Sequence, residues 1–211
     1  MDLKEANKQL GEMMGEEFTL YAGFLDEIIA HLALDPSSKI LDVGTGWGVM
    51  PLVLALNGYD VLTGEPERTT EKYPDRDAHE SHRRGHKEFS VDWRNSARVV
   101  GVESKIKFQH LDAEQLLFAD SSFDALFMNG TLHILQKKRV ALEESLRVIK
   151  PNGVVTIIEG NEKAQNRENH ATVYATVDPR DFLQRNDVSI EVITGDLAIA
   201  YILKKTTRSG Q

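Results

Sequence analysis

Three glycines at alternate positions, Gly44, Gly46 and Gly48, follow an apolar run that carries Asp42 near its end. Glycine has no Cβ and takes φ > 0 without strain, so such a turn brings bare backbone close to a ligand. Residues 49–56 carry no charge and predict a helix, whose N-terminus adds unpaired N–H groups and a positive dipole end. Strand, glycine turn and helix in that order suit a nucleotide-like cofactor. Glu65 stands 21 positions beyond Gly44, about the spacing of an acid that binds ribose hydroxyls. A carboxylate can accept from both hydroxyls of a diol, which is the physical reason for an acid there. His79, His82 and His86 fall at i, i+3 and i+7, with Asp75, Asp77 and Glu80 among them. On a helix the three histidines would share one face and could hold zinc or a similar metal, although Gly85 interrupts that helix.

These residues need elements to hold them. In residues 1–34, Tyr21, Phe24, Leu25, Ile28, Ile29 and Leu32 recur at three- and four-residue steps and predict a firm helix. An earlier stripe of Leu3, Leu10, Met13 and Met14 is weaker and breaks near Gly15. This N-terminal helical cap is expected to pack on a sheet and to act as a lid, with Phe18 and Tyr21 near the substrate. Strands are expected over 39–43, 59–63, 105–109, 125–128 and 154–158, with helices between them. Pro151, Asn152 and Gly153 predict a turn before the fifth strand. Two last strands, 188–193 and 197–203, flank Thr194, Gly195 and Asp196 and predict a hairpin. Residues 67–87 form a charged insertion with few apolar anchors, placed right after Glu65. The alternation of strands and helices, closed by a hairpin, gives an α/β class with a mostly parallel sheet and an antiparallel edge. The expected organisation is a single domain over 1–211.

The bulk composition is that of a globular chain: 41% hydrophobic and 27% charged. The charge of −8 argues against a broad phosphate-binding face and disfavours nucleic acid as partner. No apolar run approaches the roughly 20 residues needed to span a bilayer, and the N-terminus lacks the features of a signal peptide. A cytoplasmic location is the expectation. With no cysteine there is no disulfide, thiolate metal site or cysteine nucleophile.

The glycines run G-x-G-x-G, whereas a dinucleotide site wants G-x-G-x-x-G. Later blocks separate the two cofactors. The run ILDVGTGWG (40–48), the acid Glu65, the block LDAEQLLFADSSFDALFMNGTLHIL (111–135) and the block LEESLRVIKPNGVVTIIE (142–159) stand in order over most of residues 38–160. In this the chain resembles the class I S-adenosylmethionine-dependent methyltransferases, with closest similarity to the small-molecule branch of ubiquinone and menaquinone biosynthesis. The resemblance implies a Rossmann-like, doubly wound sheet of seven strands in the order 3-2-1-4-5-7-6, with the last strand antiparallel. It implies S-adenosylmethionine as cofactor and a small-molecule acceptor. Asp42, Gly44, Thr45, Gly46 and Gly48 would meet the methionyl part, Glu65 the ribose, and Asp112 with the Ala113 N–H the adenine. Asn129 and Gly130 would line the methyl-transfer face. His133 would lie near the acceptor, where a neutral imidazole could take its proton. Two other readings remain: a non-catalytic cofactor-binding sensor or partner protein, and an NAD-dependent dehydrogenase.

Overall fold

Ile40, Leu41, Asp42 and Val43 are all buried, as a strand covered on both faces requires. They form β1 (Ile40–Val43), which pairs in parallel with β2 (Val61–Glu65) on one side and β4 (Phe123–Asn129) on the other. The computed structural model describes residues 3–66, 93–167 and 177–206. Within them, β3 (Ile106–His110), β5 (Ile149–Gly160), β6 (Val188–Thr194) and β7 (Ala198–Lys205) complete a sheet of order β3-β2-β1-β4-β5-β7-β6. Strand β7 runs antiparallel to both β5 and β6. This is the expected order. It puts the switch point beside β1, where the two halves of an open α/β sheet diverge and ligands bind.

Two layers cover the sheet. On one face, α1 (Leu3–Met14), α2 (Glu16–Leu32), α3 (Val49–Leu56) and α4 (Trp93–Val99) pack over Ile40, Val61, Ala125, Phe127 and Ile158. On the other, α5 (Lys138–Val148) and the turns around it cover Leu41, Leu126, Met128, Val155 and Ile157. A short α6 (Glu162–Arg167) follows β5. The strands alternate their side chains between these layers, which assigns each functional residue to a face.

Two expectations shift. The second strand begins and ends two residues later than expected, which makes Glu65 its last residue rather than a residue beyond it. Pro151, Asn152 and Gly153 do not end the element; they lie inside the long β5. Phe123 pairs with Ile149 and Ala125 with Val154, so the extra residues bulge from the ladder. Proline and glycine signal a break in hydrogen bonding, and a bulge is such a break without loss of the strand. The charged insertion falls within 67–92, outside the described residues.

Gly64, inside β2, shows how tightly the sheet is built there. A Cβ on it would stand 2.1 Å from the Gln109 carbonyl oxygen and 2.7 Å from the Leu111 side chain. Only glycine lets β3 and the loop after it approach this close.

Candidate active site

The glycine turn is fastened to the sheet before it meets any ligand. The Gly44 and Thr45 amides both donate to the Gly64 carbonyl, at 2.9 and 3.2 Å. The Gly48 amide closes the turn onto the Thr45 carbonyl at 2.7 Å. Gly44, Gly46 and Gly48 all have positive φ. A Cβ on Gly44 would stand 2.1 Å from Thr131 Oγ1, and one on Gly48 2.4 Å from Trp93 Cβ. Thr131 and Trp93 thus press directly on the backbone at Gly44 and Gly48, while Gly46 has nothing nearer than the Gly44 carbonyl oxygen at 3.9 Å.

Asp42 lies completely buried under the turn. Its Oδ2 accepts from Thr63 Oγ1 at 2.6 Å, and Thr63 Oγ1 is 2.7 Å from Thr45 Oγ1. A chain of three polar side chains thus runs from the buried carboxyl to the glycine turn. Oδ1 of Asp42 is buried without a hydrogen-bond partner among the described residues. Burial pushes this carboxyl up to about 7, and the Thr63 hydrogen bond only partly opposes it.

The parallel pairing of β2 and β3 sets Glu65 opposite His110, two residues before Asp112. The Glu65 carboxylate accepts from the Gly46 amide, and the Leu111 amide donates to the Glu65 carbonyl at 3.0 Å. Asp112 folds its Oδ1 back on the Glu114 amide at 2.9 Å, an Asx turn that shapes its loop. Ala113 is buried. Trp93 packs on Phe108, with ring centroids 6.3 Å apart, and the Arg94 guanidinium carbon lies 4.4 Å from the Trp93 ring centroid. The hydrophobic periodicity of that helix marks Trp93 as an apolar contact; only the structure sets it against the glycine turn.

Glu114 has a structural duty. Its Oε1 accepts from the Lys137 amide at 3.0 Å, at the N-terminus of α5. In return, Glu144 of that helix accepts from the Leu116 amide at 2.9 Å. The Asp112 loop and α5 are thus tied in both directions. Glu114→Ala is expected to lower stability by about 1 kcal/mol, the worth of one ordinary hydrogen bond. Urea unfolding of variant and wild type measures this, and equal midpoints would remove the tie from the account.

The end of β4 carries the next group of candidate residues. Asn129 is its last residue, and the Gly130 amide donates to Ile158 O at 2.8 Å. Thr131 is buried and donates to the Asn129 carbonyl at 3.2 Å. Its contact with Gly44 brings the residues after β4 against the glycine turn. A 3-10 turn, Leu132–Ile134, then presents His133. Its Nδ1 is 2.7 Å from Glu159 Oε2, and its backbone amide donates to Glu159 Oε1 at 3.2 Å. Glu159 was not marked by sequence reading, although it closes the apolar run VVTIIE, where an ion stands out.

Of the two N-terminal residues assigned to the lid, Tyr21 and Phe18 part company. Phe18 is 1% exposed and belongs to the core. A Cβ on Gly160 would come within 4.0 Å of the Tyr21 hydroxyl, so α2 reaches the end of β5. His79, His82 and His86 lie outside the described residues, among which no group of metal-ligating side chains occurs.

Comparison with known proteins agrees with this geometry. Residues 41–157 match the sequence profile of a family described as methyltransferase domain. The demethylmenaquinone methyltransferase of Clavibacter sepedonicus is 29% identical over 122 residues, 57% of this chain and 40% of that one. A ubiquinone/menaquinone biosynthesis C-methyltransferase of Pseudomonas fluorescens is 38% identical over 60 residues, covering 28% of this chain and 23% of that protein. The chain thus spans less than half the length of these curated relatives. Among solved structures, a SAM-dependent methyltransferase from Aquifex aeolicus shares the fold at a TM-score of 0.57 and 16% identity, covering 96% of this chain and 98% of that one. The YcgJ protein of Bacillus subtilis does so at 0.59 and 16%, over 87% and 98%. The chain belongs to the methyltransferase-domain family, in its S-adenosylmethionine-dependent class.

The residues present fit that cofactor. The turn is open at Gly46, where the nearest atom to an added Cβ is the Gly44 carbonyl oxygen at 3.9 Å; Asp42 holds a buried acceptor oxygen beneath the turn, and acids stand at or just beyond the ends of two adjacent strands.

Proposed function

We propose that the protein transfers a methyl group from S-adenosylmethionine to a small-molecule acceptor. The bound cofactor supplies a sulfonium methyl already activated for nucleophilic attack. The protein's share is then to hold donor and acceptor in line, which accounts for much of the acceleration in such reactions. Gly44, Thr45, Gly46 and Gly48 line the methionyl end, with Asp42 beneath them. Glu65 takes the ribose hydroxyls, exchanging its contact with the Gly46 amide for them. Asp112 and the Ala113 N–H take the adenine. Asn129 faces the transferring methyl, and His133 serves the acceptor.

The single observation behind this reading is the join between Gly46 and Glu65. It brings the glycine turn and the β2 acid to one point at the switch of the sheet, where one nucleoside can touch both. A quinone-type ring as acceptor draws support from the printed names of the curated relatives. A cytoplasmic setting agrees with the finding that no helix among the described residues is long and apolar enough to cross a membrane.

Titration calorimetry tests the cofactor: S-adenosylhomocysteine binds and NAD does not. The reverse result would return the protein to the dehydrogenase reading. Labelled-methyl transfer into an extract of native metabolites separates an enzyme from a binding protein, since tight binding without incorporation indicates a sensor. Glu65→Ala is expected to weaken S-adenosylhomocysteine binding by about 1–3 kcal/mol, the worth of hydrogen bonds to a charged acceptor. Unchanged affinity would take Glu65 out of the ribose site.

A further inference from the structure

We propose that the face formed by Leu117, Ile134 and the start of α5 is a docking surface for an anionic phospholipid bilayer. The inference goes beyond the methyltransferase reading and does not depend on it.

Three large apolar side chains are left outside on this face. Leu117 is 86% exposed, Val140 41% and Ile134 40%. They come from different elements: the loop after β3, the first turn of α5 and the 3-10 turn after β4. Hydrogen bonds hold those elements against one another. The Leu116 amide donates to Glu144 Oε2 at 2.9 Å, and Glu144 stands one helical turn beyond Val140 on α5. Leu117 therefore sits beside the same stripe of the helix as Val140. The Lys137 amide donates to Glu114 Oε1 at 3.0 Å, which ties the loop to the helix a second time. Lys138 Nζ donates to the Leu135 carbonyl at 2.7 Å and draws the 3-10 turn, with Ile134, toward the start of α5. Apolar residues scattered singly are ordinary on a surface; a group that the fold draws together marks an interaction site.

Lys137, Lys138 and Arg139 stand in one run among these side chains, in a chain whose net charge is −8. Their place is unfavourable for the helix, because the positive end of its dipole repels cations, and α5 has no acid in its first turn. Nearby acids do not neutralise the run. Glu144 and Asp120 pair with Arg147 at 2.7 and 2.8 Å, and Glu143 pairs with Arg185 at 2.7 Å. Lys137 Nζ is 3.9 Å from Glu114, and Lys138 and Arg139 have no ion pair among the described residues.

Cations beside protruding aliphatic side chains match an interface between water and lipid. The cations attract phosphate headgroups, and the side chains enter the acyl boundary beneath them. An acidic protein would satisfy the cations but would need a hollow for each apolar side chain. A bilayer is deformable and takes all three without a matched surface. The loop after β3 and the turn after β4 lie at the edge of the sheet that carries the glycine turn. Bilayer and candidate site would thus share one edge.

Vesicle sedimentation of the full chain tests the proposal. Wild-type protein is expected to pellet with vesicles of equal parts phosphatidylglycerol and phosphatidylcholine, and not with phosphatidylcholine alone. Lys137→Gln together with Arg139→Gln should lower the partition coefficient about 30-fold, at roughly fivefold per basic residue near an anionic surface. Leu117→Ser should lower it about tenfold. These positions are exposed, so thermal melting should be unchanged in both variants. Because the chain has no cysteine, Leu117→Cys can carry a single environment-sensitive dye. Its emission should shift to the blue on the anionic vesicles. The same dye on Val99→Cys, exposed on the other layer, should not respond. Wild type that stays in solution beside the anionic vesicles overturns the proposal. So does equal pelleting of wild type and both variants, equal binding to phosphatidylcholine, or a dye at position 117 that responds no more than one at 99. Binding to polyglutamate but not to vesicles assigns the face to an acidic protein and overturns it as well. Calorimetry with S-adenosylhomocysteine, run without vesicles, bears on the methyltransferase reading alone.

Discussion

Replacing Asp42 by asparagine should raise the melting temperature of the ligand-free protein at pH 8, and raise it much less at pH 5. The carboxyl is completely buried, and its pKa is raised to about 7 because burial disfavours the charged form. Its value in the unfolded chain is the ordinary 3.8. A group whose native pKa lies above its unfolded one stabilises the fold fully below the unfolded value. That stability is lost as pH rises through the native pKa. The loss therefore runs from about pH 4 to pH 7 and then levels off. Each pKa unit is worth about 1.4 kcal/mol, so the full loss is about 4 kcal/mol. Asparagine keeps the oxygen that Thr63 needs and has no charge to bury, so it escapes this loss. For a chain of this size the gain corresponds to roughly 10 °C at pH 8. Melting curves from pH 5 to pH 8 read the effect directly. A variant advantage that does not grow with pH would mean that the native carboxyl is ionised and paired. The same substitution should weaken S-adenosylhomocysteine binding, because the turn loses the carboxylate beneath it.

Gly44→Ala should destabilise the protein by about 2–4 kcal/mol, from backbone strain and overpacking together. Gly44 has φ of +92°, where an L-residue is strained, and its new methyl would meet Thr131 Oγ1 at 2.1 Å and Cγ2 at 2.8 Å. Thr131 is buried and cannot swing out. Relief must come from a shift of the turn or of the Thr131–His133 segment, and either disturbs the site. Binding of S-adenosylhomocysteine is expected to fall with stability. The two causes separate in a double variant. Gly44→Ala with Thr131→Ala removes Oγ1 and Cγ2 from the clash and leaves the φ strain, so it should recover about 1–2 kcal/mol. Urea unfolding of both single variants and the double gives the coupling. Strict additivity would show that Gly44 and Thr131 are not in contact, and the join between the two halves of the site would fail with them.

Much of the scaffold was legible because it rests on local rules. Gly44, Gly46 and Gly48 announce a backbone with positive φ, and the apolar run before them announces a buried strand. Glu65 could be picked out by its spacing from the glycine turn, and Asp112 only through the resemblance of its block to the methyltransferase family. The break at Gly15 and the terminal hairpin follow from turn chemistry. Pro151, Asn152 and Gly153 misled for the same reason. A bulge inside a strand and a turn between elements interrupt the backbone ladder alike, and only the partner strand distinguishes them.

What was hidden depends on pairing across the sheet. Glu159 looks like the polar end of a strand until β5 is placed beside β4 and its carboxylate meets His133. Phe18 has the character of either a lid or a core residue until α2 is packed. Asp42 looks like a ligand-facing acid and proves to be enclosed, joined to the glycine turn through Thr63 and Thr45.

The glycine turn that opens the site therefore has two origins. Sequence determined that it exists, and that a strand, a helix and two acids accompany it, because φ preference, apolar periodicity and charge are properties of short segments. Tertiary structure alone decided what lies above and below it: a buried carboxyl under one side, Thr131 against Gly44, and a histidine held by Glu159 just beyond. Those contacts join residues tens of positions apart. Burial, hydrogen-bond geometry and the electrostatics of a carboxylate all depend on neighbours that the chain brings together only when it folds.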